Sequence, residues 1–442
     1  MDTASKLRLV ADDWARYNPA AKWAMGIALD ARDRLTSVDD ANSIALSLQR
    51  LTRAARAIRG GPLLAARERR IRDRMQRWSA GDIDWNAFYP GSEPRVLQKS
   101  IILKKPRPAG EKGVLFVAFE DNWLRILRYA NLAKLAEDYD VVLSPTWSPP
   151  HDLALLLAAR LWPGELYTIL SNFEDELTFA RIAPNLKAIP LLASSWVNPA
   201  MFEPQGTVEK RFDIAVVANF ARFKRHFALF RAMRDMDTRI TAVLLGHAWG
   251  GRSRDTIERE ARGFGVWDRI TIMDNVADAL ANPDAFTRPV PYVMHSSRVS
   301  VIMSLCEGSC VVVAESLFAD VPVGLIETAR IGSRAFITEA TGRFLRPGHI
   351  AEDLTRLIAD SSSMHPRQWM LDNGKSAWDS SRLLNETMRR AAQTRGAPWT
   401  SDLTPMQWRP NAEYLNSDDA EGLRAEYGRF GEAYGLPIQP PF

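Results

Sequence analysis

The chain has 442 residues, of which 46% are hydrophobic, 25% charged and 9% aromatic, and these proportions are typical of a folded globular protein. They exclude disorder as the main state, and at about 100 to 200 residues per domain the length predicts two or three domains. The net charge of +4, from 57 Lys plus Arg against 53 Asp plus Glu, is too small for a protein built to coat nucleic acid.

The sequence contains two cysteines, Cys306 and Cys310, so it offers no disulfide framework and no support for secretion. Without a neighbouring histidine we interpret them as buried free thiols and not as zinc ligands. The N-terminus lacks an apolar stretch of signal-peptide length, and the most apolar segment, residues 153–162, is short and contains Arg160. We therefore expect a cytoplasmic protein without a membrane span.

The first 80 residues are predicted to be helical, because apolar side chains recur at spacings of three and four. Asn18-Pro19 and Gly60-Gly61-Pro62 break this pattern into separate helices.

Residues 50–77 form a strongly basic segment, with ten arginines against Glu68 and Asp73 and a local net charge of +8. A charged row beside apolar residues could make peripheral contact with an anionic membrane surface, at the inner face of the membrane. Solvated arginines on a helix bundle are an equal alternative, because the apolar side is mostly alanine.

From residue 113 onward, short apolar runs alternate with helical stretches, which is typical of βαβ units. The first series predicts strands at 114–119, 141–143, 166–170 and 188–192, with helices at 124–137, 152–161 and 174–182. Residues 198–206 are rich in breakers and are interpreted as a linker.

A second series follows this linker. It predicts strands at 214–217, 240–245, 270–273 and 299–303, and helices at 227–236, 254–263, 354–359 and 377–392. Two successive α/β series imply two parallel-sheet lobes, and such sheets bind ligands at the carboxyl ends of their strands. We therefore expect the ligand to lie between the lobes.

Glu307 and Glu315 follow the predicted strand 299–303 and stand eight residues apart. If a helix begins near Ser309, they are separated by about 12 Å along its axis, comparable to the span from the sugar to the ribose of a nucleotide-sugar. The diphosphate between them would face the helix N-terminus, which favours anions. However, glutamate pairs at this spacing are common, and Val311-Val312-Val313 is β-branched enough to form a strand.

Four segments occur in a characteristic order. They are residues 217–225 (Val-Ala-Asn-Phe-Ala-Arg-Phe-Lys-Arg), 243–246 (Val-Leu-Leu-Gly), 307–315 (Glu-Gly to Glu) and 320–323 (Asp-Val-Pro-Val). This order resembles the C-terminal half of family-4 glycosyltransferases, retaining enzymes of the GT-B fold. That family has a Gly-Arg-x4-Lys-Gly signature, a Leu-Val-Gly strand end, a Glu-x7-Glu motif and a small residue before Pro-Val. The match covers roughly residues 205–395; residues 113–204 match more loosely, and the first hundred do not match.

The resemblance implies an α/β protein of the GT-B fold, with two Rossmann-like lobes facing a cleft and an added N-terminal helical region. It divides the chain into a helical region at residues 1–100, an acceptor lobe at 101–204, a donor lobe at 205–395 and a C-terminal extension at 396–442. The extension is expected to cross back to the N-terminal lobe.

The resemblance also implies roles for individual residues. Glu307 would contact the donor sugar hydroxyls, Lys224 the diphosphate and Glu315 the ribose. A lysine there can neutralise the charge that builds on the leaving nucleoside diphosphate. Further donor-binding positions are Asn219, Arg222, Arg225, Gly246, Gly308 and Ser309.

The sequence departs from the family at three places. Asn219 stands where the family has a phosphate-binding arginine, so Arg222 or Arg225 substitutes for it, or the second cation is absent. Ser309-Cys310 replaces Phe-Gly, and residues 119–123 stand in place of a glycine-rich loop.

Two histidines and two aspartates complete the candidates. His151 could serve the acceptor or phosphate side, or be an incidental surface residue beside a helix N-cap at Asp152. His295 is either a satisfied loop residue or lies near the donor base. Asp235 and Asp237 resemble a metal-binding Asp-x-Asp, but with no second ligand cluster we predict no metal and no cofactor.

We therefore expect a retaining, metal-independent hexosyltransferase of polysaccharide biosynthesis. It would move a sugar from a nucleoside-diphosphate sugar to a saccharide or lipid-linked acceptor, without a nucleic-acid partner. The alternatives are a catalytically silent sugar-nucleotide-binding or scaffold protein, and a nucleotide-sugar epimerase or hydrolase on the same fold.

Overall fold

The computed structural model describes residues 2–57, 61–78, 83–88, 96–97, 99–145, 151–204, 208–273, 289–408 and 412–441. It begins with helices, as the apolar spacing predicted: α1 (Thr3–Tyr17), α2 (Pro19–Arg34), α3 (Ala41–Ala57), α4 (Gly61–Arg77) and the short α5 (Trp85–Phe88). The break at Asn18-Pro19 is confirmed, because the Asn18 side chain accepts hydrogen bonds from the backbone of Ala20 and Ala21 and so caps α2. Among the described residues, no helix combines the length and the apolar character that crossing a membrane requires.

The first α/β series forms a five-stranded sheet. Its elements are β1 (Ser100–Lys104), β2 (Gly113–Ala118), α6 (Glu120–Tyr129), α7 (Leu132–Asp138), β3 (Tyr139–Ser144), α8 (Leu153–Leu161), β4 (Leu166–Leu170), α9 (Glu176–Ile182) and β5 (Leu186–Leu192). The strand order is β1-β2-β3-β4-β5, parallel except for β1, which the sequence did not predict. The predicted helix 124–137 is two helices, because the Asn131 side chain caps α7 by accepting from the backbone of Lys134.

The second series forms a six-stranded, fully parallel sheet. Its elements are β6 (Phe212–Val217), α10 (His226–Arg234), β7 (Ala242–Leu245), α11 (Arg254–Phe264), β8 (Ile270–Met273), α12 (Pro289–His295), β9 (Ser297–Ile302), α13 (Val311–Phe318), β10 (Val323–Ile326), β11 (Gly342–Leu345), α14 (Ile350–Asp360) and α15 (Pro366–Asp372). The strand order is β11-β10-β9-β6-β7-β8, so chain connections reverse direction between β6 and β9. Parallel sheets bind ligands at such a reversal. The alternative that residues 311–313 form a strand is wrong, since they begin α13.

The chain ends with α16 (Ala377–Thr394), the hairpin strands β12 (Met406–Trp408) and β13 (Ala412–Tyr414), and α17 (Arg424–Tyr434). These elements pack on the first sheet: the Tyr414 hydroxyl donates to the carbonyl of Ile102 at 2.8 Å, and the Ile102 amide donates to the Tyr427 hydroxyl at 2.9 Å. The α/β class is confirmed.

The chain divides into two compact units. The first-sheet unit contains Trp14–Trp196 and Ala377–Phe442, and the second-sheet unit contains Met1–Asp13 and Val197–Ser376. These divisions differ from the predicted boundaries at 204 and 395, because α16 belongs to the first-sheet unit, where Ser380 donates to the carbonyl of Ser195 at 2.5 Å. The helical N-terminal residues are likewise part of the two units. In the predicted linker, residues 205–207 lie outside the described residues.

The basic segment has partners within the first-sheet unit. Arg70 pairs with Asp30 at 2.5 Å and with the fully buried Asp33, and the buried Arg67 lies 3.6 Å from Asp30. The apolar side of α3 is in the core, where Leu51, Ala54 and Ala55 are buried. Membrane contact through residues 50–77 stays a prediction, and this packing gives several of the arginines a structural role. Arg59 lies outside the described residues.

His151 is buried, so the expectation of a surface histidine is wrong. Its Nε2 lies 3.0 Å from Oε1 of the buried Glu68, which also accepts two hydrogen bonds from Arg181. Burial alone would raise the pKa of Glu68, but the hydrogen bonds from His151 and Arg181 outweigh it and lower the pKa to about 2. These contacts tie α4, α9 and the residue before Asp152, the N-cap of α8, into one cluster. His151 is therefore positioned as a structural residue.

We predict that Glu68→Gln destabilises the first-sheet unit. Because the pKa is depressed from 4.5 to about 2, the stability from the ionised carboxylate is present above about pH 4.5 and is lost as the pH falls towards 2. The free energy of unfolding should fall by about 3 kcal/mol at pH 7 and by less at pH 3, measured by urea unfolding. The control is Glu386→Gln, which removes an exposed pair with Arg390. This variant should change the free energy of unfolding by less than about 1 kcal/mol. Equal effects of the two variants would contradict a structural role for the Glu68 cluster.

Candidate functional site

The candidate site of the second-sheet unit is built by two loops at the reversal between β6 and β9. One loop, residues 218–225, connects β6 to α10, and the other, residues 303–310, connects β9 to α13. Adjacent parallel strands bring their following loops to the same sheet edge. The sequence predicted candidate residues in both loops, and the structure brings them into contact.

Lys224 and Glu307 form an ion pair between the two loops, with 2.7 Å from Nζ to Oε2. The two side chains retain only 15% and 11% of their exposure. Burial alone would lower the pKa of Lys224, but the adjacent Glu307 carboxylate outweighs burial and raises it. Lys224 is therefore a fixed cation, held on its turn after β6.

The second carboxylate oxygen of Glu307 has no hydrogen-bond partner among the described residues, although it is buried. Leaving a buried carboxylate oxygen unsatisfied is costly, so such an atom normally accepts a hydrogen bond from a ligand or from water. The oxygen can accept from a ligand hydroxyl.

Backbone contacts hold the loop before α13 in place. The amides of Gly332 and Ser333 donate to the carbonyls of Gly308 and Ser309, at 2.8 and 3.1 Å. Cys310 adopts a left-handed backbone conformation, with φ +54°, directly before α13. Its thiol is half-buried and burial raises the thiol pKa, so it is a poor nucleophile. Cys306 is exposed, so the expectation that both thiols are buried is wrong for this residue.

Glu315 lies in the middle of α13, in agreement with the alternative that a helix begins near Ser309. Burial raises the pKa of its carboxyl group to about 7. No described residue compensates with a hydrogen bond or an ion pair to the carboxylate, so Glu315 changes its charge near neutral pH.

Gly246 lies where β7 ends and has no room for a side chain. A Cβ there would lie 2.1 Å from the carbonyl oxygen of Ala218 and 2.9 Å from the ring of Phe220. Next to it, the Asn219 side chain accepts from the backbone of Ala221 at 3.2 Å and shapes the turn that carries Lys224. Gly246 thus supports the loop by close backbone approach.

Arg222 and Arg225, the predicted substitutes for the missing arginine, pair with carboxylates of α1. Arg222 donates to Asp12 at 2.7 Å, and Arg225 donates to both oxygens of Asp13 at 2.9 and 3.0 Å. Arg225 also donates to the carbonyl of Met303 at 2.8 Å. Sequence reasoning missed both aspartates, because no spacing connects them with residues more than 200 positions later.

The remaining candidates lie apart from this pair or are satisfied. His295 Nε2 lies 3.1 Å from the carbonyl of Phe202, which supports the interpretation of a satisfied residue. Asp235 pairs with Arg234 and Asp237 with Arg239. In the described parts of the chain, no group of three or more His, Cys, Asp or Glu side chains is arranged to hold a metal ion.

A missed residue is His226, the first residue of α10. It is fully buried against Phe220, and neither ring nitrogen has a partner among the described residues. Burial lowers its pKa to about 3, so the ring is neutral.

Comparisons with known proteins found no matching family model and no matching curated protein. Among solved structures, the chain is similar to sucrose-phosphate synthase from Thermosynechococcus elongatus, with 16% identity, a TM-score of 0.48, and 64% of this chain and 74% of that chain covered. It is similar to HepE from Anabaena in complex with UDP, with 15% identity, a TM-score of 0.46, and 64% and 78% covered. The C-terminal domain of a glycosyl transferase group 1 family protein from Francisella tularensis matches with 18% identity, a TM-score of 0.33, and 40% and 97% covered. At these identities, the assignment of function depends on the site's own residues.

We predict that Glu315→Gln stabilises the second-sheet unit above neutral pH. With a pKa raised from 4.5 to about 7, the folded protein keeps a proton that the unfolded chain has lost, so wild-type stability falls as the pH rises from 4.5 through about 7. The amide carries no charge, so at pH 8 the variant should exceed the wild type by up to about 3 kcal/mol. At pH 4 the two should agree closely. Thermal unfolding at both pH values checks this, with the exposed Glu339→Gln as control; a difference that does not depend on pH would contradict it.

Proposed function

We propose that the protein is a retaining GT-B glycosyltransferase that uses a nucleoside-diphosphate sugar as donor and a saccharide or lipid-linked molecule as acceptor. The single observation that carries the proposal is the Lys224–Glu307 pair at the strand reversal, with one buried Glu307 oxygen lacking a partner in the described chain. It combines, within one ion pair, a cation for a phosphate and an acceptor for a sugar hydroxyl.

The unpartnered Glu307 oxygen supports a neutral, hydroxyl-bearing group beside it. A single buried oxygen suits a group that donates one hydrogen bond. A sugar hydroxyl does this and remains uncharged, unlike a second cation. The Glu307 charge, already shared with Lys224, can also stabilise positive charge that develops on the sugar ring as the donor bond breaks.

Lys224 supports departure of the diphosphate. In the proposed step, the bond between the anomeric carbon and the phosphate oxygen breaks, and the acceptor oxygen bonds to that carbon on the same face. The acceptor proton passes to the departing phosphate oxygen, so atoms and charge balance. Lys224, already a permanent cation because of Glu307, then faces the charge that grows on the leaving group.

Glu315 fits contact with the ribose hydroxyls in this proposal. An ionised carboxylate accepts from both hydroxyls of a diol more strongly than the protonated acid does, and the Glu315 pKa of about 7 leaves the group half-protonated near neutral pH. Donor affinity should therefore rise as the pH increases through about 7.

Experiment can distinguish two other functions from this proposal. A silent nucleotide-binding protein is favoured by one observation: Arg222 and Arg225 are already paired, and Asn219 carries no charge. It would bind a nucleotide but release no product. An epimerase or hydrolase would convert the donor without forming a glycosylated product.

We predict that at least one of UDP, GDP and ADP binds the full chain in calorimetry at pH 8. If none of them binds either the wild type or a variant with Asp12→Asn and Asp13→Asn, in which Arg222 and Arg225 lose their carboxylate partners, the donor-site assignment is overturned. For the nucleotide that binds, the corresponding sugar donor should yield free nucleoside diphosphate and a glycosylated product in the presence of a saccharide acceptor.

We predict a division of roles between the two paired residues. Glu307→Gln should lower turnover by about 100-fold or more and weaken nucleotide binding less than Lys224→Ala does, because it removes the sugar contact and the partner of Lys224 but keeps the Lys224 cation. Lys224→Ala should weaken nucleotide binding and turnover together. Glu339→Gln, an exposed carboxylate of the same unit, is the matched control and should resemble the wild type. Unchanged turnover in both site variants would show that these roles are wrong.

A further inference from the structure

The N-terminal helix brings its only two carboxylates to the loop that carries Lys224. Within Thr3–Tyr17, the acidic residues are Asp12 and Asp13, and each pairs with an arginine of residues 218–225. Residues 1–13 belong to the second-sheet unit, so these contacts are internal to one compact unit.

We propose that the first part of α1 is an autoinhibitory element whose carboxylates occupy the cations that a nucleoside diphosphate would use. The inference rests on the proposed function for the identity of the competing ligand. Carboxylates and phosphates both match the planar guanidinium fork, so Asp12 and Asp13 present Arg222 and Arg225 with the same chemistry as a diphosphate. Both cannot hold the same donors at once.

The two pairs differ in strength in a way that suits displacement. Asp12 and Arg222 keep 48% and 37% of their side-chain exposure, and such exposed pairs contribute little to stability. Asp13 and Arg225 form a bidentate pair and keep only 16% and 12% of their side-chain exposure, so this pair contributes most to holding α1. When Asp13 leaves, Arg225 retains its hydrogen bond to the carbonyl of Met303 and stays positioned for a new anion.

The rest of α1 adds little to hold it on the unit. None of its residues is buried, and Leu7 keeps 66% of its exposure. Lys6 lies 5.8 Å from the centre of the Phe264 ring, a weak contact for a solvated cation. Charge pairing at Asp12 and Asp13 is therefore the main specific attachment, and a ligand of higher negative charge can replace it.

A cavity lies next to the Asp13–Arg225 pair. It has a volume of about 280 Å³ and is lined by Asp13 and Val10 of α1 together with Arg225, Phe227, Leu305 and Thr328. Its walls thus include residues that follow β6, β9 and β10. Release of α1 would remove one wall and open this cavity beside the carboxyl ends of the strands.

The test is the double variant Asp12→Asn/Asp13→Asn in the full chain. It keeps the side-chain size, removes both charges, and alters no buried residue. We expect the Kd for UDP and for inorganic pyrophosphate to fall by at least about fivefold, the lower range of coupling between linked sites. The matched control Asp237→Asn/Asp268→Asn removes two exposed carboxylates of the same unit, changes net charge equally, and should leave both Kd values within about twofold of the wild type.

Hydrogen exchange of the wild type provides an independent measurement. Saturating UDP should speed amide exchange in residues 3–13, because the helix leaves its arginines when the ligand binds. If UDP binds while these amides keep their protection and the double variant binds no more tightly than the control, the inference is overturned and the proposed function stands.

The opposite separation is also measurable. If UDP, GDP and ADP fail to bind both the wild type and the double variant, the donor assignment fails. Pyrophosphate that still binds, and still releases residues 3–13, would support the autoinhibitory contact as a response to diphosphate. If pyrophosphate also fails to bind the double variant, the inference is overturned too.

Discussion

The ion pair between Lys224 and Glu307 is the interaction on which the candidate site depends. It joins the loop after β6 to the loop after β9, at the point where the strand order of the second sheet reverses. Two charges can be held at this depth only because each offsets the desolvation of the other. The pair therefore does two things together: it fixes the geometry of both loops, and it leaves one acceptor oxygen of Glu307 unsatisfied.

Each of the two loops contains one residue with a strained backbone conformation. Arg225 and Cys310 both have left-handed backbone conformations, with φ of +55° and +54°. Glycine adopts this conformation without strain, whereas a residue with a Cβ does not. A side chain there costs on the order of 1 kcal/mol, and the local contacts of Arg225 with Met303 and of Cys310 with Ser333 hold the conformation in place.

The same principle of paired burial organises the helical part of the first-sheet unit. Asp30 and Asp33 of α2 are buried against Arg67 and Arg70 of α4, and Glu68 is buried against His151. The basic segment at residues 50–77 favoured contact with an anionic surface outside the protein. The folded chain supplies carboxylates for part of that charge itself, from Asp30 and Asp33, which precede Arg70 by 40 and 37 positions.

Lys224, Glu307 and Glu315 were singled out through the resemblance to family motifs. Local pattern was sufficient for the α/β class, the helical character of the N-terminal region and most strands of both sheets. These depend on hydrophobic periodicity and on turn residues, which act over a few positions and can be read along the chain. The strands β1, β10 and β11 were missed, although β4, β7 and β8 of similar length were predicted. Only the tertiary structure decided which side chains form pairs, such as Asp13 with Arg225 and His151 with Glu68. It also decided that α16 belongs to the first-sheet unit. Such pairings arise when the chain brings distant segments together and burial makes every charge require a partner, and a one-dimensional pattern contains no record of that proximity.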